Sequence, residues 1–443
     1  METVPTESPA AVAGERPIVE LPIGHLVRIS LYWLGLTAID GAVGLFIQNR
    51  LNFGGFAGSL DIGRTAFLIS IPVAVLSILI QPTVGAISDY TVSRWGRRKP
   101  YIVFGSLLDL VFLAGIATAN NVVILGAFVA LLTVSTNIAR GPFQGYVPDL
   151  IAERQVGMAS ALVGLMQILG NVTGFLLVTI GVAIGRIELA IAAVAIVELI
   201  TMVAVVIRVS PGLAPRDRAG RSWTDIAKTA WGTDILKERS YVWLVASRFF
   251  FLMGGGILVN FVIAYLKTSH GQLEQEANGT NFMILIIVVL ANLIAIIPSA
   301  RISDRIGRKP VIYASCVVGS VGLVIAGLGP SVPFALIGAA LFGASAGTFL
   351  AVDWALITDI IPRASSGRYM GLSNVATSSS TVFAVMTGGL LIDFVNSWIG
   401  LGSGPRAAYL LGAAYYIVAM FLLRPVVEPD RRSATREASA VAA

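Results

Sequence analysis

Long apolar runs alternate with short polar connections along the whole of this chain. Twelve runs of 18 or more residues fall at about 26–48, 66–88, 101–119, 122–146, 156–180, 188–208, 241–266, 281–300, 311–328, 333–358, 369–392 and 406–424. At a rise of 1.5 Å per residue, each is long enough as a helix to cross a hydrocarbon layer of about 30 Å. Runs such as Val194 to Val206 show no alternation of apolar and polar positions, which a barrel strand would require. The pattern predicts an all-α membrane protein with twelve transmembrane helices.

The pattern also repeats. Asp89 to Pro100 reads D-Y-T-V-S-R-W-G-R-R-K-P and Asp304 to Pro310 reads D-R-I-G-R-K-P, each between two apolar runs, with the prolines 210 positions apart. Asp149-Leu150-Ile151 and Asp359-Ile360-Ile361 keep the same offset, as do Gly157 and Gly367. A period this long is not that of a solenoid. It predicts two pseudo-symmetric six-helix bundles, an architecture of many secondary transporters whose site lies between the halves. The expected organisation is an N-terminal tail (1–24), a first bundle (25–208), a linker (209–240), a second bundle (241–424) and a C-terminal tail (425–443).

Composition agrees, with 56% hydrophobic and 13% charged residues, against about a quarter charged in soluble domains. Arg94, Arg97, Arg98 and Lys99 follow the second run, Arg301, Arg305, Arg308 and Lys309 follow the eighth, and seven Lys or Arg lie between Arg208 and Arg239. The 267–280 connection has only Lys267, and those near 120 and 330 have none. By the positive-inside rule both tails and the linker are expected in the cytoplasm. The formal charge of +6 is then a property of loops facing an anionic leaflet rather than of a nucleic-acid surface. Residues 1–24 contain no apolar core of a signal peptide, so the first helix is expected to direct insertion. One cysteine, Cys316, and two distant histidines, His25 and His270, give no disulfide, redox centre or metal site, and no cofactor is expected. Frequent Ala and the excess of Arg over Lys point to a bacterial source and hence to the plasma membrane.

Within the repeated clasp, Gly96 and Gly307 permit a tight turn and Arg97, Arg98, Arg308 and Lys309 are expected among the headgroups. Asp89 and Asp304 need a partner, either an arginine or the positive N-terminus of another helix. Gly157 and Gly367 open such helices on the same membrane face, beside Asp149 and Asp359, so each acid is expected to meet the opposite half. The clasp resembles the signature loop of the major facilitator superfamily, D-R-x-G-R-K, which Asp304, Arg305, Gly307, Arg308 and Lys309 follow. The first copy has a longer spacer of six residues between Asp89 and Gly96, and in this it is similar to the glycoside-pentoside-hexuronide cation symporters and sucrose-type transporters. Asn137, Gly141-Pro142 and Asp149-Leu150 resemble the fourth-helix segment of sucrose-type carriers. Those carriers place an Arg two residues after Gly-Pro, where this chain has Gln144, and its own Arg140 precedes the pair, so sucrose does not carry over as substrate. The resemblance implies a clasp that holds one access state and releases it. The plainer alternative is a loop anchor.

Polar residues share faces inside three apolar helices. Trp33, Thr37, Asp40, Gly44 and Gln48 follow helical spacing in the first, Thr133, Asn137, Arg140 and Gln144 in the fourth, and Ser160, Gly164, Gln167 and Asn171 in the fifth. The resemblance implies that the first and fourth helices line a central cavity. The second half offers Arg248, Asn260, Asn292, Asp353 and Asn374, with charges unmatched to those of the first. Asp40, about 12 Å from the outer end of its helix, is expected to be desolvated and to exchange the coupling proton, opposed by Arg140. Equally, Asp40 with Arg140 and Arg248 with Asp353 would serve as buried pairs that hold helices together. Asp109 and Glu198 are weaker candidates and Glu188 reads as interfacial. Tyr32, Trp33, Phe143, Tyr146 and Trp354 stand near the stripes, as sugar-stacking groups or as packing. Gly343-Ala344-Ser345-Ala346-Gly347 has the spacing of a hydrolase nucleophile turn but lies in an apolar helix, where small residues serve close packing. Asn278-Gly279-Thr280 fits a glycosylation acceptor.

The expected function is secondary transport of a small polar solute, a sugar or glycoside, by alternating access coupled to protons or sodium in a monomer. A proton-coupled exporter of drugs or metabolites is the alternative within transport. A non-transporting membrane sensor is the alternative outside it, and no nucleophile–base or metal constellation speaks for an enzyme.

Overall fold

The computed structural model describes residues 20–56, 62–145, 150–151, 155–209, 218, 220–229, 238–360 and 366–427. Twelve helices are long and apolar enough to cross a membrane. In chain order these spans are Ile23–Asn52, Ile62–Ser88, Lys99–Thr118, Val122–Gln144, Val156–Ala183, Ile187–Arg208, Arg239–His270, Glu274–Ile306, Arg308–Leu328, Val332–Ile360, Ser366–Ile399 and Ser403–Leu422. The first is made of two helices, Ile23–Ser30 and Tyr32–Asn52, joined at Leu31. A short helix, Trp223–Thr229, follows the sixth, and no strand occurs among the described residues.

Several spans outrun the apolar runs that announce them. The seventh, eighth and eleventh have 32, 33 and 34 residues, about 48–51 Å of helix against a hydrocarbon core of about 30 Å. Hydropathy registers only the part in lipid, whereas the backbone ladder continues through polar turns such as Glu274–Gly279 and Arg301–Arg305.

The faces are sorted as a bilayer requires. In the third span Phe104, Leu107 and Val111 are exposed, while Ser106 and Asp109 on the opposite side are fully buried. Apolar side chains meet lipid and polar ones turn inward.

The chain forms two compact units, residues 1–231 with 273–282, and residues 232–272 with 283–443. Within the first, the first span packs on the fifth and sixth, and the third on the fourth and sixth. Within the second, the seventh packs on the eleventh and twelfth, and the ninth on the tenth and twelfth. Each half therefore repeats the same neighbour pairs around its own core.

Glycines set the helix spacing. A Cβ on Gly170 or Gly174 would lie 2.3 Å from the backbone oxygen of Leu34 or Ala38, so the fifth span touches the first backbone to backbone. In the second unit a Cβ on Gly343 or Gly347 would lie 2.4 or 2.2 Å from the oxygens of Val288 and Asn292. The Gly-x-x-x-Gly stripe of the tenth span is thus the seat of the eighth. Asn278 is buried and exchanges amide hydrogen bonds of 3.0 and 2.7 Å with Asn49 inside the first unit, which leaves no room for a glycan on its side chain.

Candidate functional site

The clasp is built the same way in both units, from a helix end, a glycine and two cations. After the second span, Gly96 takes φ 89° and Gly307 takes φ 101° after the eighth, in the left-handed region where a Cβ is strained. Arg98 then reaches Asp89 at 3.0 Å and donates to the Pro142 carbonyl at the end of the fourth span, also at 3.0 Å. Gly145 makes the space, since a Cβ there would stand 1.7 Å from the guanidinium. In the second unit Arg308 pairs with Asp304 at 3.0 Å and donates to Ser303 at 2.6 Å. The neighbouring lysines repeat a further role. Lys99 donates to the carbonyls of Val206 and Val209, at 2.8 and 2.6 Å, and Lys309 to those of Arg424 and Val426, at 3.0 and 2.6 Å. Each caps the C-terminal end of the last helix of its bundle, where free carbonyls and the helix dipole favour a cation.

One expectation changes here. The cations were expected among the headgroups, yet Arg97, Arg98, Lys99 and Arg308 are buried, because protein oxygens replace water around them, the Asp89 carboxylate and the Pro142 carbonyl at Arg98, helix-end carbonyls at Lys99, and Ser303 with Asp304 at Arg308. Each acid pairs with an arginine of its own clasp, one of the two kinds of partner the sequence offered. The two pairs differ in burial, with side chains 24% exposed at Asp89 and 63% at Asp304. Asp89→Asn is therefore expected to cost about 1–3 kcal/mol of stability and Asp304→Asn only about 0–1 kcal/mol. Thermal unfolding of the detergent-solubilised protein checks this, and equal losses would contradict it. Asp149, and the side chains of Asp359, Asn374 and Trp354 together with Tyr146, lie outside the described residues.

Both expected charge pairs form, each between the first and fourth helices of its bundle. Arg140 Nη2 donates to Asp40 Oδ2 at 2.6 Å in the first unit, and Arg248 pairs with Asp353 in the second. The acid and base have exchanged helices between the halves. Their settings differ as well. The Asp40 side chain is 46% exposed, whereas Asp353 is 2% exposed and Arg248, which also donates to Thr377 at 3.1 Å, is sealed with it.

The polar stripes are partly consumed by their own helices. Thr37 donates to the carbonyls of Trp33 and Gln167, Asn137 to Thr133, Asn171 to Gln167 and Asn260 to Gly256, mostly four residues back. Gln48 is buried, and Gln144 and Gln167 are half-buried. Among the aromatics, Tyr32 and Phe143 are fully buried and meet edge to face at 4.9 Å, with Trp33 tilted on Phe143 at 5.7 Å. They form packing of the first bundle rather than a stacking platform. The group that sequence reasoning undervalued is Asp109 with Glu198, which lie together at the centre of the first unit. Each lies alone in the middle of its span, and only the third-to-sixth packing brings them into one place.

Two six-helix bundles, charge pairs inside apolar helices and repeated clasps define a multi-pass membrane carrier. The chain belongs to the major facilitator superfamily, whose family model matches residues 29–286 and 249–442. It resembles the sugar-carrying branch of that family. A general alpha-glucoside permease of Schizosaccharomyces pombe is 31% identical over 168 residues, covering 34% of this chain and 30% of the permease. A sucrose transport protein of Oryza sativa subsp. japonica is 29% identical over 125 residues, 23% of each chain. An uncharacterised transporter of the major facilitator type from Mycobacterium tuberculosis is 31% identical over 110 residues, 25% of this chain and 16% of the relative. The match with each of these relatives thus spans less than a third of the relative's length. A solved D-xylose-proton symporter shares the fold over 92% of this chain and 98% of its own, with a TM-score of 0.70 and 16% identity. The family to which the chain belongs is one of membrane transporters, which are not enzymes.

Proposed function

We propose that this carrier moves a sugar or glycoside across the bacterial cytoplasmic membrane by alternating access, driven by a gradient of protons or sodium. The observation that carries the reading is Asp40, an acid in a membrane helix that is half exposed and salt-bridged to Arg140 at 2.6 Å. An acid in that position can be reached by an ion from water, and losing its charge frees the arginine. The printed names of the similar proteins, an alpha-glucoside permease, a sucrose transport protein and a D-xylose-proton symporter, support a sugar and an ion-coupled mode. The basic loops support cytoplasmic tails and a cytoplasmic linker, and a single chain suffices because both halves of the repeat are within it.

The test is uptake in vesicles reconstituted with the full chain. Labelled maltose, sucrose and xylose are offered with an inward proton gradient, with an inward sodium gradient and with neither. At least one sugar is expected to accumulate severalfold only when a gradient is present. Failure with every sugar, together with gradient-driven extrusion of an apolar dye, would replace the reading with an exporter.

A further inference from the structure

The interior of the first unit holds two acids that the reading above leaves unused. Asp109 of the third span and Glu198 of the sixth are both completely buried, and their carboxyl groups are within hydrogen-bonding reach of each other. Among the described residues, the first and fourth spans and Asp109's own third span contribute only hydroxyls around them. From the fourth, Ser135 and Thr136 donate to Asp109 Oδ1, Thr136 at 2.9 Å. From the first, Tyr32 donates to Glu198 Oε1 at 3.4 Å, and its oxygen lies 2.5 Å from that of Ser106 on the third. Two oxygens remain without any donor, Asp109 Oδ2 and Glu198 Oε2.

The nearest cation does not fill that gap. Arg140 exerts a field on Asp109 and Tyr32, but its guanidinium is bonded to Asp40. Two ionised carboxylates in contact inside a low-dielectric bundle would repel strongly, and neither would have enough donors. One proton resolves both problems. Ser135 and Thr136 already donate to Asp109, and a hydroxyl has a single hydrogen to give, best used on the charged acceptor. With Asp109 as the carboxylate and Glu198 as the acid, every donor in the cluster points toward Asp109. Ser106 gives to Tyr32, Tyr32 to Glu198, and Glu198 to Asp109.

We propose that Asp109 and Glu198 form a proton-binding site in the core of the first bundle, sharing one proton between Glu198 Oε2 and Asp109 Oδ2. It is distinct from Asp40, whose side chain is 46% exposed. In the carrier reading above, on which this part of the inference rests, it narrows the coupling ion to the proton. Loss of the proton would leave two negative charges at the seam of the first, third, fourth and sixth spans and favour their separation.

Infrared spectroscopy of the full chain in lipid tests the site without reference to transport. At neutral pH the wild type minus Glu198→Gln difference spectrum is expected to contain one carboxylic-acid carbonyl band per chain, shifted in heavy water. Glutamine can donate the same hydrogen bond to Asp109, so the variant retains the packing. Asp109→Asn provides an independent arm, in which the acid band moves because its acceptor has changed. The same band is expected in Asp40→Asn. Absence of an acid band from the Glu198→Gln difference spectrum would overturn the proposal. So would a band present in choline chloride and lost in sodium chloride, which would assign the oxygens to a sodium ion.

Discussion

Asp40→Asn is expected to abolish accumulation of sugar against its gradient while leaving exchange of internal for external sugar intact. The asparagine keeps the size of the side chain and can still accept from Arg140, but it can neither carry a charge nor take up a proton. Net transport returns an empty carrier, and in the proposed cycle that return needs the carboxylate to be discharged and recharged. Exchange needs no empty return, so it survives. The accumulation ratio should fall to about one, the value for passive equilibration, with exchange rates within a few fold of wild type. Because the Asp40 side chain is 46% exposed, little stability should be lost with it. If the variant concentrates sugar as well as wild type, coupling does not reside at Asp40 and the Asp109–Glu198 pair takes its place.

The opposite balance of effects is expected at the matching position of the second unit. Arg248→Met should destabilise the protein by about 3–5 kcal/mol, because it leaves the Asp353 carboxylate in a dry interior without its cation. Asp353 has one oxygen with no hydrogen-bond partner among the described residues even in the intact pair, so Arg248 is the countercharge they supply. Combining Arg248→Met with Asp353→Leu removes both charges and should recover most of the loss, since an apolar pair of similar volume packs well in such a site. The measurement is thermal unfolding of the wild type and the two variants in one detergent. A single variant as stable as wild type would mean that Asp353 is neutral in the folded protein, and the pair would no longer be a structural tie.

These two pairs show what was legible in the sequence. Span number, bundle repeat and both charge pairs could be read because each rests on a property of one helix or on the 210-residue offset. A charge in an apolar run must find a countercharge, and few are available. Burial was less accessible. Whether Asp40 or Asp353 is exposed depends on which face the helix presents, and in the sequence both are simply acids inside apolar runs. Tyr32 and Phe143 could be read as binding or as packing aromatics for a similar reason, since a residue one step off a polar stripe lies at the edge of the core. Asp109 and Glu198 are 89 positions apart in sequence, and their contact exists only through helix packing. The burial of Arg97, Arg98, Lys99 and Arg308 was hidden because loop charge counts say nothing of the protein oxygens that surround them.

Lys99 and Lys309 bear on how the protein is made. The carbonyls that receive Lys99 come 107 and 110 residues later in the chain, and those that receive Lys309 come 115 and 117 residues later. During synthesis each lysine reaches the membrane surface with its third helix and finds its acceptors only after the sixth helix of that bundle has emerged. Each half is thereby closed by its last helix, the first while the second is still unmade. The ammonium group marks the difference between five inserted helices and six, and a chain stopped short of Val426 presents that difference as an uncapped charge at the membrane surface.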